Sequence, residues 1–302
     1  MSLPHPRTCA LLAGAFTLIA MPVLASAKAQ TYDMNPAGPW DIDYSKDSCN
    51  LLRTFEDADG RELTLRLERF GPHESFTATI IGEPASSSSI LVDTAMQFIP
   101  GGQPNIRRQS FTGHQAIAGK NVPIVIFGSV KLQGSNEVAG DPNARRIDPP
   151  PAEIAAMTSV SITLNNPERH VVLHTGSLGS VIEAVDKCTA ELVTHWGLDP
   201  TVQSSLKPPA PKGNPGSWVT VSDYPIAALR QGQSGLVHFR LMIDAAGSIS
   251  DCLVQDVVPP EYFSKITCAA LKKRAHFKPA VDANGTPHAS YWLNTVRYVA
   301  FP

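Results

Sequence analysis

Three short stretches hold residue types that could do chemistry. The first is Ile90-Leu91-Val92-Asp93-Thr94-Ala95. Two apolar residues before Asp-Thr-Ala fit one half of a site in which paired aspartates share a proton. Such a site also needs a glycine-bearing flap and an apolar-apolar-Gly segment behind the loop. Val125-Ile126-Phe127-Gly128 is the one stretch that approaches the latter. An Asp at a strand end is far more often a turn former, and Asp93 is read so. The second stretch, Thr175-Gly176-Ser177-Leu178-Gly179, lacks the first glycine of a nucleophile elbow, and Ser177 reads better as a helix N-cap. The third is His170 and His174, separated by Val171, Val172 and Leu173, which make the segment a strand. No acidic ligand accompanies them in sequence, so they read as solvated strand histidines. Serines 86 to 89 read as a turn, and no glycine-rich phosphate loop occurs. No catalytic, cofactor or metal residue is assigned, and the chain reads as non-enzymatic. A hydrolase in the first half is the weakest alternative.

The cysteines say more. There are five, and Cys9 lies in an N-terminal stretch with the pattern of a secretory signal. Arg7 gives the positive start, Cys9 to Val23 is apolar and broken by Pro22, and Ala25-Ser26-Ala27 and Ala27-Lys28-Ala29 are candidate cleavage sites. As a helix the apolar run rises only about 22 Å, short of a hydrocarbon core of about 30 Å. Residues 1 to 27 are therefore expected to be a cleaved signal, which places the mature chain in the periplasm without a membrane span. Cys49, Cys188, Cys252 and Cys268 remain, an even set in a compartment that permits disulfides. Three connectivities are possible. Cys252 lies in an expected strand and Cys268 on the helix expected to cover it, so these two are paired, leaving Cys49 with Cys188. No C-x-x-C or C-x-C spacing favours a metal.

The elements that position these residues follow from periodicity. Residues 30 to 202 read as a β-rich domain, with strands at Cys49 to Phe55, Glu62 to Arg69, Ser75 to Ile81, Ser89 to Phe98, Val122 to Leu132 and Ser159 to His174. Asp59-Gly60 makes a turn and Gly134 to Pro151 a loop. A closing helix spans Leu178 to His195, where Val181, Ile182, Val185, Cys188 and Leu192 recur at helical spacing. Residues 203 to 217 form a linker centred on Leu206 to Gly216, where proline and glycine displace apolar periodicity. A net charge of -2 gives no support to nucleic-acid binding, which wants a basic face. The one basic cluster, Lys272-Lys273-Arg274, falls in the last turn of an expected helix, where cations complement the helix dipole.

Residues 218 to 302 give the most specific pattern: short helix, strand, tight turn, strand, helix, strand. Ser222 or Asp223 is expected to cap a helix with Pro225 in its first turn, and Gly232 to end it. Val237, Phe239, Leu241 and Ile243 then alternate against His238 and Arg240. Tyr224-Pro225, Ala228, Gly232, Gly235, the Ile243-Asp244 to Gly247 turn, and Phe277-x-Pro279 followed by Gly285 resemble the C-terminal domain of the TonB family. The resemblance covers residues 222 to 301, and its specificity lies in the order and spacing of several weak signals. It implies an α+β fold: a three-stranded sheet with a covering helix, after a β-rich domain of no recognised family.

What the resemblance implies about function is binding. TonB C-terminal domains are periplasmic modules that touch outer-membrane receptors, and an extended partner peptide would add to the sheet edge. The receiving strand is expected around His288 to Tyr298, with Ser290, Trp292, Asn294, Val296 and Tyr298 as partner-binding positions. The competing reading makes Trp292, Val296 and Tyr298 core or homodimer contacts. The expected partner is an envelope protein or an outer-membrane receptor peptide. The resemblance links this contact to outer-membrane receptor transport, but coupling to proton motive force is left open and put in doubt, because a transducer keeps an N-terminal membrane helix and a long proline-rich spacer and neither is read here. The alternative is a structural or ligand-binding envelope protein that uses the TonB-like domain for assembly only.

Overall fold

The computed structural model describes Met1 and residues 29–101, 108–132, 148–258 and 261–300. The signal reading at residues 1 to 27 falls, Met1 apart, outside the described residues. The first half runs β1 (Gln30–Pro36), β2 (Asp41–Tyr44), β3 (Cys49–Glu56), β4 (Glu62–Arg69), β5 (Phe76–Gly82), β6 (Leu91–Ile99), β7 (Arg108–Ile117) and β8 (Lys120–Val130). Then come α1 (Pro151–Ala156), β9 (Ser159–Leu164), β10 (Arg169–His174) and α2 (Gly179–His195).

Alternation builds this half. Leu63, Leu65 and Leu67 of β4 are fully buried, and across the ladder Leu51 faces Leu67 and Phe55 faces Leu63. The strands form one sheet in the order β1-β10-β9-β6-β7-β8-β5-β4-β3-β2. β1 also pairs with β3 through Asn35 opposite Glu56 and Pro36 opposite Phe55. The sheet therefore curls into a barrel-like ring, with β2 attached to β3 beside the seam. β1 runs parallel to β10, Gln30 facing Arg169. Met96 and Phe98, Val160 and Ile162, and Val171 and Leu173 join one core with Ile182, Val185 and Leu192 of α2. Cys188 of α2 is bonded to Cys49 at the start of β3, as expected from the sequence, with Cα atoms 6.1 Å apart.

Several expectations need correction. The strand expected over Ser159 to His174 is a hairpin of β9 and β10, turned at Asn165-Asn166-Pro167, where Asn166 takes φ 74°. β1, β2 and β7 were not anticipated. Pro151 begins α1 instead of ending a loop, fitting a residue whose missing N–H costs nothing in a first turn. Leu178, not Ser177, is the N-cap of α2; the Ser177 hydroxyl donates to Ala155 O at 2.8 Å. Asp93 is exposed within β6 and forms no turn. β7 and β8 join through Ala118 (φ 47°) and Gly119 (φ 78°), the paired left-handed residues of a two-residue hairpin.

The second half holds α3 (Pro200–Ser205), β11 (Ala210–Pro211), α4 (Ile226–Arg230), β12 (Gly235–Ile243), β13 (Ile249–Val258), α5 (Tyr262–Arg274), β14 (Phe277–Lys278), β15 (Ala280–Val281), β16 (Pro287–His288) and β17 (Ser290–Tyr298). Its main sheet is three-stranded, β13-β12-β17, as anticipated. The α4 helix begins differently: Pro225 is the N-cap. Asp223 instead closes a 3-10 turn, accepting from Thr220 N at 2.8 Å and from Arg274 Nη1 at 2.7 Å. Gly247 (φ 84°) admits only glycine, because a Cβ there would stand 2.4 Å from Phe277 O. The proline-rich stretch after α3 is held along its length. Lys207 N donates to Val281 O at 2.9 Å, β11 pairs with β14, and Lys212 N donates to His276 O at 2.7 Å. Among the described residues no helix is long and apolar enough to cross a membrane.

Candidate functional site

The three-stranded sheet is a candidate binding platform, and its two faces meet different neighbours. Phe239, Leu241 and Ile243 of β12 face α5 and share a core with Trp218, Leu271 and Phe277. The Cys252–Cys268 disulfide, anticipated from the sequence, ties β13 to α5 with Cα atoms 5.7 Å apart. At the last turn of α5, Arg274 hydrogen-bonds Asp223 and, with the Thr220 backbone, holds that carboxyl well below the usual carboxylate range. The basic cluster thus acts within the fold.

The five expected partner-binding residues of β17 fall unequally. Trp292 packs edge-on to Trp218, ring centroids 5.5 Å apart, and is tilted against Phe277 at 5.3 Å. Tyr298 stacks on Phe263 at 4.1 Å, and its hydroxyl is 2.9 Å from Thr267 Oγ1. Val296 joins the same core, and the Ser290 hydroxyl is buried against Gln203 Oε1 at 2.6 Å. Of the five side chains, only Asn294 is exposed. Its Oδ1 accepts from Thr295 N at 2.8 Å. That amide therefore points away from β12. Since successive strand residues direct their backbone groups to opposite sides, residues 291, 293, 295 and 297 present theirs at the outer edge. Among the described residues no strand pairs there.

The other face of the sheet, with His238 and Arg240, lies against the barrel. His238 stacks on Phe70 with centroids 4.3 Å apart, its Nδ1 is 2.8 Å from Thr295 Oγ1, and its Nε2 is 3.3 Å from Thr77 Oγ1. Burial lowers its pKa to about 4, against the opposing pull of Asp256. Gln255 Nε2 donates to Asp47 O and Phe70 O, each at 3.0 Å. Arg297 lies over the Phe111 ring at 4.8 Å, and Tyr291 meets Trp196 edge-on at 4.9 Å. A cavity of about 290 Å³ remains between sheet and barrel, lined by Phe111, Ile126, Leu236, Leu293, Asn294 and Arg297 among others. It borders β17 on the barrel side.

The expected non-sites fare as follows. Asp93 lies in a strand, and its neighbour Thr94 is buried with its hydroxyl 2.6 Å from Ser110 Oγ. His174 and His170 do have acidic partners, missed in sequence because one comes from β1: His174 Nε2 is 2.6 Å from Asp33 Oδ1, and His170 Nε2 is 3.3 Å from Glu168 Oε1. His73, Asp148 and Asp186 converge with metal-like spacing, but Arg69 fills the centre. Its Nη1 lies 2.8 Å from Asp186 and 3.1 Å from Asp148. Burial raises the Asp186 pKa. At Asp148 burial is outweighed by His73 and Arg69, which hold the carboxyl low. The cluster reads as an arginine ion-pair network.

No curated protein matches the chain. The order of the main elements and the sheet covered by α5 are what the sequence resemblance implied. Residues 220–299 match the family model described as Gram-negative bacterial TonB protein C-terminal, a non-enzymatic domain family of the Gram-negative envelope, and this stretch is a TonB C-terminal domain.

Proposed function

We propose that the chain is exported to the periplasm and that its TonB C-terminal domain captures an extended segment of an envelope protein or outer-membrane receptor by strand addition to β17. Residues 30–202 and 218–302 are taken as its two domains. One observation carries the reading: among the described residues no strand pairs with the outer edge of β17, and a cavity borders it. Main-chain groups at 293 and 295 would supply affinity, and the cavity would select an alternate side chain of the incoming strand. Transport through the receptor is the process this contact would serve.

A second reading, assembly only, is favoured by Val221, Ile226 and Leu229, which are exposed around the start of the domain. A photo-crosslinker placed at Asn294 in cells separates the two. Adducts to an outer-membrane receptor support strand capture, and adducts only between copies of this chain support assembly.

A further inference from the structure

A second cavity, of about 450 Å³, lies where Tyr44 to Asp47, the C-terminal half of α2, and Arg240 and Leu253 on paired strands β12 and β13 meet. Its chemistry is set by Arg240, whose side chain is 5% exposed. The guanidinium lies over the indole of Trp196 at 4.2 Å. Its carboxylate contact among the described residues is Asp47, with Nη1 3.5 Å from Oδ1. A charge-assisted pair of full strength closes to about 2.7–2.9 Å. Arg240 Nε is buried without an acceptor, and so is Trp196 Nε1. Burial lowers the Arg240 pKa, and Asp47 offsets this in part. A buried guanidinium with five donors and one long ionic contact is under-compensated by its own protein.

The walls restrict what would complete it. Leu192, Leu253 and Trp196 offer apolar surface, while Asp47 and Glu191 add two negative charges and Lys46 one positive charge. With Arg240 the lining carries two cations and two carboxylates, too little net positive charge to compensate a doubly charged anion, whereas a single negative charge on an apolar body suits both the buried guanidinium and the apolar walls. The volume falls within the range of about 300–1,000 Å³ typical of small-molecule sites. We propose that this cavity binds a small apolar monocarboxylate, its carboxylate on Arg240 and its body against Leu192 and Leu253. The site is separate from the β17 edge and stands whether or not that edge captures a partner.

Calorimetry on the full mature chain tests this with octanoate, its uncharged amide octanamide, and inorganic phosphate. Octanoate is expected to bind at one site per chain, octanamide at least about tenfold more weakly, and phosphate without measurable heat; a tenfold change corresponds to about 1.4 kcal/mol. Arg240→Gln should weaken octanoate by a similar factor. Should that variant fail to fold, Leu253→Trp keeps Arg240 but fills the cavity, and should weaken octanoate at least as much while circular dichroism stays native. The proposal is overturned by octanoate giving no heat at millimolar concentration, by equal affinity for acid and amide, by phosphate binding in preference, or by full octanoate affinity in the folded Leu253→Trp protein.

Discussion

Burial fixes the protonation state of His238. Its ring sits between Phe70 and two threonine hydroxyls, with a pKa lowered to about 4 by desolvation. The unfolded chain titrates near 6.5, so between the two values it binds the proton and the folded chain does not. Stability from this residue is therefore complete above the unfolded value and is lost as pH falls toward 4, by at most about 1.4 kcal/mol per pH unit. His238→Gln can still hydrogen-bond but cannot titrate. Urea midpoints at pH 7 and pH 5 should differ more for the native protein than for this variant; parallel pH dependence would show that His238 does not carry the effect.

At the scale of the element, β17 makes the backbone separable from the side chain. Thr295→Pro removes an N–H that points away from β12, while Thr295→Ala removes the same hydroxyl contact to His238 and keeps the N–H. If partner strands add at this edge, the proline variant should lose crosslinking from position 294 and the alanine variant retain it, both folded by circular dichroism. Equal crosslinking by both would exclude the outer edge of β17 as the docking site. The Cys252–Cys268 bridge joins residues 16 apart, so Cys268→Ser should lower stability by about 3 kcal/mol in the chain-entropy model. A denaturation midpoint unchanged by the substitution would exclude a stabilising role. β4 was legible because alternation marks a strand with one buried face, and β12 because it alternates apolar with polar residues, although the barrel buries its polar face as well. β7 was not, since from His114 onward its side chains are exposed and leave no such mark. Trp292, Val296 and Tyr298 alternate as binding positions would, and also as core positions do; only their packing, Trp292 against Trp218 and Phe277 and Tyr298 against Phe263, places them. Arg240 could not be placed from sequence, because a docked barrel, and nothing local, buries it.

At the scale of the whole molecule, the barrel and the sheet share buried contacts from Phe70, Trp196 and Phe111. The proposed export is tested at the N-terminus: sequencing of protein from periplasmic extract should begin at Lys28 or Gln30, and an intact N-terminus in the inner membrane would refute cleavage. The ring also imposes an order in time. Gln30 to Met34 pair with Arg169 to Leu173, while only Asn35 and Pro36 bridge to β3. A chain made from its N-terminus holds β1 in waiting until residue 173 has emerged, and Cys49 waits longer still for Cys188. Every truncated product that stops earlier carries an unclosed sheet and a Cys49 without Cys188 to bond, so the ring and its bridge are the last features of the first half to be completed.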